Sequence, residues 1–227
     1  MLLTRFKNDT LPEIGCDEAG RGPLWGPLVA AAVILPPEED WTDAHRELAP
    51  LIQDSKKVTA KRREALVKRI EEFAIGVGIG FVTAEEIDNW GATRANQMAF
   101  RRALDNLYDK RGAADKQRVL LDGIIPLHTR EERETIYTVV DGDAKYLSIA
   151  AASILAKVAH DSWVVKYCAE HVAEAAKYDL LNCKGYGTAK HREGILKYGY
   201  TELHRRLYLR KLIPDIVVSR YKIVEDS

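Results

Sequence analysis

Residues 14–35 read IGCDEAGRGPLWGPLVAAAVIL, and the fold class turns on that stretch. Ile14–Glu18 is a short apolar run that ends in acid and then breaks into a turn rich in Gly and Pro. Leu28–Leu35 is apolar throughout, as a strand buried on both faces is. Outward from this pair, Ile75–Val82, Val119–Asp122 and Ile136–Asp141 carry the same strand signal of β-branched and apolar residues. The first three lie close together in sequence, which predicts an antiparallel meander. The last two are set off by stretches of helical pattern, which predicts crossovers and parallel pairing. Lys61–Phe73 is a charged amphipathic helix, and Thr83-x-x-Glu86 has the form of a capping box opening a helix toward Asn96–Leu107. A third helix is expected from about Leu147 through Ala176. Its opening SIAAASILAKVA, residues 148–159, is small and apolar on nearly every side, so it should be buried close against the sheet. The chain after Asp179 is more polar and mostly helical. The expectation is an α/β protein with a main body over 1–178 and a helical extension over 179–227.

With 227 residues, 46% hydrophobic and 30% charged, the chain can bury a core of ordinary size. It has no apolar stretch of the roughly 18 residues a bilayer span requires, and MLLTRFKNDTLP turns polar too soon for a secretory signal. Cys16, Cys168 and Cys183 are odd in number, far apart and without a C-x-x-C pair, so neither a disulfide framework nor a zinc site is indicated. A cytoplasmic monomer away from membranes is expected. The net charge is zero, which argues against nucleic-acid binding by bulk positive potential. Locally the balance differs: Lys184, Lys190, Arg192, Lys197, Arg205, Arg206, Arg210 and Lys211 stand against only Glu193 and Glu202, with four tyrosines interleaved. A solvated amphipathic helix would show the same pattern.

The acids at strand ends carry the chemistry. Asp17 and Glu18 close the first strand, Asp122 closes RVLLD, and Asp141 and Asp143 follow TIYTVV. Singly, each reads as a turn residue where a strand stops. Together, three strands ending in acid place carboxylates at the carboxyl edge of a sheet, the usual crevice for ligands in α/β folds. Carboxylates converging there repel one another, and a hard divalent cation such as Mg²⁺ or Mn²⁺ relieves the repulsion. Two such ions roughly 3.5–4 Å apart suit in-line displacement at a phosphodiester. The chain has no G-x-x-x-x-G-K-[ST] and no G-x-S-x-G, which excludes the common nucleotide-hydrolase and serine-hydrolase motifs.

The same stretches carry a family resemblance. IGCDEAGRGPLWGPLVAAAVIL, QDSKK at 53–57, EIDNWGATRANQMAFRRAL, VLLDG, GDAKYLSIAAASILAKV and KGYGTAKH occur in the order and at spacings compatible with ribonuclease HII, the type 2 ribonucleases H, over most of residues 14–191. The resemblance implies a ribonuclease H-like fold with a central mixed five-stranded sheet, flanking helices and a C-terminal helical extension that helps hold the duplex. It implies Asp17, Glu18, Asp122 and Asp143 as catalytic acids holding two Mg²⁺ or Mn²⁺ ions, with Asp141 left as structural. Gly20, Arg21 and Gly22 would bring main chain against a ribose 2′-hydroxyl, and Tyr186 would sense that hydroxyl and stack at an RNA–DNA junction. Ser55, Lys56, Lys184 and Thr188 are implied near the nucleic-acid backbone. The implied activity is cutting of RNA in RNA–DNA hybrids and 5′ of single ribonucleotides in duplex DNA. A transposase- or junction-nuclease-like DNA endonuclease of the same fold, or an inactive nucleic-acid-binding module, are the alternatives. Two departures stand out: Trp25, where the family has a small residue, and Val158-Ala159-His160-Asp161 in place of Val-Thr-Arg-Asp.

Overall fold

The computed structural model describes residues 2–55, 58–111, 116–128 and 133–218; Lys56 lies outside them. Five strands form one sheet: β1 (Glu13–Ala19), β2 (Leu28–Ile34), β3 (Gly76–Val82), β4 (Gln117–Asp122) and β5 (Glu134–Val139), in the order β3-β2-β1-β4-β5. β1 pairs antiparallel with β2, whereas β1 with β4 and β4 with β5 run parallel. The sheet is therefore mixed, and each strand expected from the sequence is found within two residues of its expected ends. β2 is buried at all seven positions, which explains its unbroken apolar sequence.

Nine α-helices accompany the sheet among the described residues: α1 (Asp43–Leu48), α2 (Ala60–Phe73), α3 (Ala84–Trp90), α4 (Ala92–Arg111), α5 (Leu147–Glu170), α6 (Val172–Lys177), α7 (Leu180–Cys183), α8 (Ala189–Tyr198) and α9 (Arg206–Leu209). Two differ from expectation. The capping box of Thr83 and Glu86 forms, with Glu86 N–H donating to Thr83 Oγ1 at 3.1 Å, but the helix it opens stops at Gly91, whose φ of +81° ends it, and α4 starts afresh. The helix expected to run from Leu147 to Ala176 is broken at His171, so α5 and α6 are separate.

The chain divides into two compact units. The first comprises residues 1–19, 29–81 and 97–159 and contains the sheet. One sheet face packs on α2 and α5, where Ala31, Val33, Leu66, Ile70, Phe73, Leu147, Ala151 and Leu155 share a core. α4 covers the opposite face: a β-carbon on Gly78 or Gly80 of β3 would collide with the carbonyl of Ala103 or Ala99. Gly15 does the same work for α5, because a β-carbon there would run into Ser148 and Ile149 at the start of that helix. Small residues on both partners let the helix lie close to β1, as the apolar opening of α5 suggests.

The second unit comprises residues 20–28, 82–96 and 160–227. Its core gathers Trp25, Val164, Cys168, Tyr178, Leu180, Cys183, Ile195 and Leu209. Asp88 of α3 accepts from the main-chain N–H groups of Arg206 and Leu207 at 3.0 and 2.8 Å and from Arg206 Nε at 3.1 Å, capping α9. All three cysteines are buried and free, Cys16 within β1 and the other two in this second core. No helix among the described residues is long and apolar enough to cross a membrane.

Candidate active site

β1 and β4 are parallel neighbours with Cys16 beside Leu121, so the next residues, Asp17 and Asp122, come side by side at the carboxyl ends of both strands. Partners in register on adjacent strands share a face. Gly15 and Asp17, two apart on β1, both face α5, and so does Leu120, which packs with Ile149. Glu18, one residue on, belongs to the opposite side of the pleat. It is half-buried, while Asp17 is only 5% exposed. Glu18 N–H donates to Asp17 Oδ1 at 2.7 Å.

Asp143 reaches the same region from the turn after β5. Asp141 takes the left-handed conformation with φ 53° and stays exposed, and one 3₁₀ turn over Gly142–Ala144 carries Asp143 inward to 5% exposure. Gly142 N–H donates to Asp122 Oδ1 at 2.6 Å, tying that turn to β4. Burial first, and then the charges of Glu18 and Asp122, push the Asp17 carboxyl well above the ordinary carboxylate range, against the pull of a hydrogen bond from Ser153. Among the described residues, no three His, Cys, Asp or Glu side chains are already closed into a coordination shell. The donor set still fits a hard divalent cation: oxygen ligands, mutual repulsion, and one carboxylate whose charge is held back by its neighbours.

Ser153 of α5 is the site residue that sequence reasoning missed. Its hydroxyl lies 2.9 Å from that of Ser55, and both are buried. Ser153 Oγ donates to Ser55 Oγ and also hydrogen-bonds the Asp17 carboxyl, so one hydroxyl links the two. Ser153 sits in an alanine-rich helix that reads as plain packing, so nothing local marks it.

The residues implied for the ribose lie in the second unit. Gly20 has φ +78°, and a β-carbon there would stand 2.7 Å from His160 Nε2 and 2.9 Å from the Pro27 carbonyl. Arg21 and Gly22 are exposed. A β-carbon on Gly22 would meet Tyr186 Cε1 at 3.8 Å, so the tyrosine ring and the Gly-Arg-Gly turn face one another. Leu24 N–H donates to the Gly185 carbonyl at 2.8 Å, binding the two segments together. Tyr186 is 40% exposed. Thr188 caps α8, accepting from His191 N–H at 3.3 Å, and Lys184, with φ 50°, donates to the Leu181 carbonyl.

The two departures have structural accounts. Trp25 is fully buried, packed on Trp163 and Tyr167 at ring-centroid distances of 5.5 and 4.9 Å, and so anchors the Gly20–Leu28 segment in the second core. His160 is buried beside Gly20 and its Nδ1 lies 2.9 Å from Asp161 Oδ1.

The comparisons agree with this architecture. Residues 14–211 match the family model described as Ribonuclease HII. Ribonuclease HII of Syntrophotalea carbinolica is 42% identical over 194 residues, 86% of this chain and 83% of that one. The protein of the same name from Bacteroides thetaiotaomicron is 42% identical over 214 residues, 91% of this chain and 94% of that one. Among solved structures, ribonuclease H2 of Pyrococcus horikoshii superposes with a TM-score of 0.67 at 25% identity, covering 89% of this chain and 97% of that one. A sheet ordered β3-β2-β1-β4-β5, acids at the ends of its parallel strands and a match over 198 of 227 residues make the chain a member of the ribonuclease HII family.

Proposed function

We propose that this ribonuclease H, whose family hydrolyses RNA in RNA–DNA hybrids with divalent metal, also cuts duplex DNA 5′ of a single embedded ribonucleotide. We assign Asp17, Glu18, Asp122 and Asp143 to the metal ions, two of Mg²⁺ or Mn²⁺. The observation that carries the reading is the register that sets Asp17 beside Asp122 on one face at the ends of two parallel strands. What the ions supply when bound is a polarised water and neutralised charge on the leaving oxygen.

The chain's own residues do the rest. Asp17 and Asp122 face a common point; Glu18 and Asp143 flank it from the other side of the pleat and from the turn after β5. Water adds to phosphorus, the P–O3′ bond breaks and O3′ takes up a proton, leaving 5′-phosphate and 3′-hydroxyl ends. The Gly20–Gly22 turn presents main chain, with no β-carbon at two of its three positions, to a 2′-hydroxyl that only RNA carries. Tyr186 stacks beside it. Ser55, Lys56, Lys184 and Thr188 take the nucleic-acid backbone, and residues 179–227 form the substrate-holding extension. We infer a monomer in a reducing cytoplasm, consistent with three buried free thiols.

The test is a labelled DNA duplex carrying one ribonucleotide, offered with Mg²⁺ or Mn²⁺ and then with chelator. Cutting 5′ of the ribonucleotide, abolished by chelator and by Asp122→Asn while duplex binding persists, is the expected result. Cutting of branched DNA instead, or binding without cutting, would overturn it.

A further inference from the structure

Residues 203–205 run antiparallel to the Gly20–Leu28 segment. Gly26 N–H donates to the Leu203 carbonyl at 2.9 Å, Arg205 N–H donates to the Leu24 carbonyl at 2.8 Å, and Trp25 and His204 form the bridge between them. The Arg205 side chain then turns into the same segment. It is fully buried, with Nε donating to the Gly26 carbonyl at 2.9 Å and one terminal nitrogen to the carbonyls of Pro23 and Arg21 at 3.0 and 3.2 Å. Burial lowers its pKa to about 10, which leaves it charged at neutral pH. The composition of the basic segment groups Arg205 with phosphate ligands; its burial removes it from them.

His204 points the other way. Thr201 N–H donates to its Nδ1 at 2.9 Å, so the ring proton is on Nε2. That atom lies 3.2 Å from Nε2 of His191, whose Nδ1 is 3.0 Å from the Tyr186 carbonyl. A carbonyl only accepts, so His191 carries its proton on Nδ1 and receives on Nε2. One direction of donation satisfies every partner: Thr201 N–H to His204, His204 to His191, His191 to the main chain of Tyr186. Both rings are essentially inaccessible to water, and burial lowers both pKa values, keeping them neutral as the chain requires.

We propose that the adjacent residues His204 and Arg205 are positioning residues that hold Gly20–Gly22 and Gly185–Gly187 in mutual register from a single point of the chain, so that selectivity for the 2′-hydroxyl depends on one fixed pair of histidine tautomers. This rests on the assignment of those two segments to the ribose made above. Arg205 fixes the first segment through its carbonyls; His204, through His191, fixes the second.

Matched variants test it. In His204→Gln the side-chain amide nitrogen falls near the place of Nε2 and still donates to His191, whereas in His204→Asn the side chain accepts from Thr201 but stops short. Affinity is measured for a DNA duplex with one ribonucleotide against the same duplex without it, together with kcat, KM and thermal unfolding. His204→Asn is expected to lose about tenfold of the preference, roughly one buried hydrogen bond, as a rise in KM with kcat little changed, and His204→Gln to retain it. Arg205→Lys, which keeps the charge but not the planar fork, is expected to behave like His204→Asn. Nitrogen-15 NMR of the wild-type chain should show His204 protonated at Nε2 and His191 at Nδ1, a readout that needs no variant to fold. Opposite tautomers, or a folded His204→Asn as selective as wild type, overturn the proposal. A wild-type chain indifferent to the ribonucleotide sinks the ribose assignment itself, a result distinct from either.

Discussion

Ser153 shows how one hydroxyl can govern a carboxylate it does not resemble. It hydrogen-bonds the Asp17 carboxyl and donates to Ser55 behind it. Removing that partner frees Asp17 to rotate away from the face it shares with Asp122. Ser153→Ala is expected to weaken Mn²⁺ affinity and kcat by about 10–100-fold, the usual cost of losing a group that orients a metal ligand; titration calorimetry checks the first and Ser153→Thr should restore most of both. His204 makes a different prediction. Its pKa is held down at about 3, against 6.5 in an open chain, by burial and by His191. The unfolded chain therefore binds the proton more readily, and the fold loses stability as pH falls from about 6.5 toward 3, by up to about 1.4 kcal/mol per pH unit. Urea unfolding at pH 5 should give about 2 kcal/mol less than at pH 7 from this residue alone, with His191 acting in the same direction and His204→Gln removing the His204 share.

At the scale of elements, the sheet and its acids were legible because each depends on a local pattern. β1 is an apolar run that reaches Asp17 and Glu18 just before its end and β4 one that ends in Asp122, and their parallel pairing follows from the helical sequence between them. The breaks at Gly91 and His171 were not legible. The stretch before Gly91 keeps its helical pattern across the glycine, and His171 has no sequence mark of a stop. The His204–His191–Tyr186 path was hidden for another reason: it joins three segments of the polar C-terminal run, where His and Arg read as solvent-facing or phosphate-binding. The close seating of α5 on β1 also yields a prediction. Gly15→Ala must push Ser148 and Ile149 outward. Overpacking of this kind costs about 1–3 kcal/mol, readable in chemical unfolding, and should lower kcat because Ser153 rides on the displaced helix.

Over the whole molecule, 34 basic residues balance 34 acidic ones, so affinity for a duplex depends on where the cations are exposed. Lys190, Arg192, Lys197, Arg210 and Lys211 are exposed, whereas Arg205 is sealed and Arg206 is held by Asp88. Lys190→Gln should reduce the slope of log K against log salt by about 1 if that lysine meets a phosphate, while Arg205→Lys should leave the slope unchanged. Filter binding at several salt concentrations reads both. The thiols offer one more measurement. Cys16 lies in the middle of β1 and Cys168 and Cys183 in the other core, so an alkylating reagent can reach a sulfur only when the strand or core around it opens. Timed alkylation followed by peptide mass spectrometry would make these sulfur atoms clocks, each ticking at the rate at which its own part of the protein breathes.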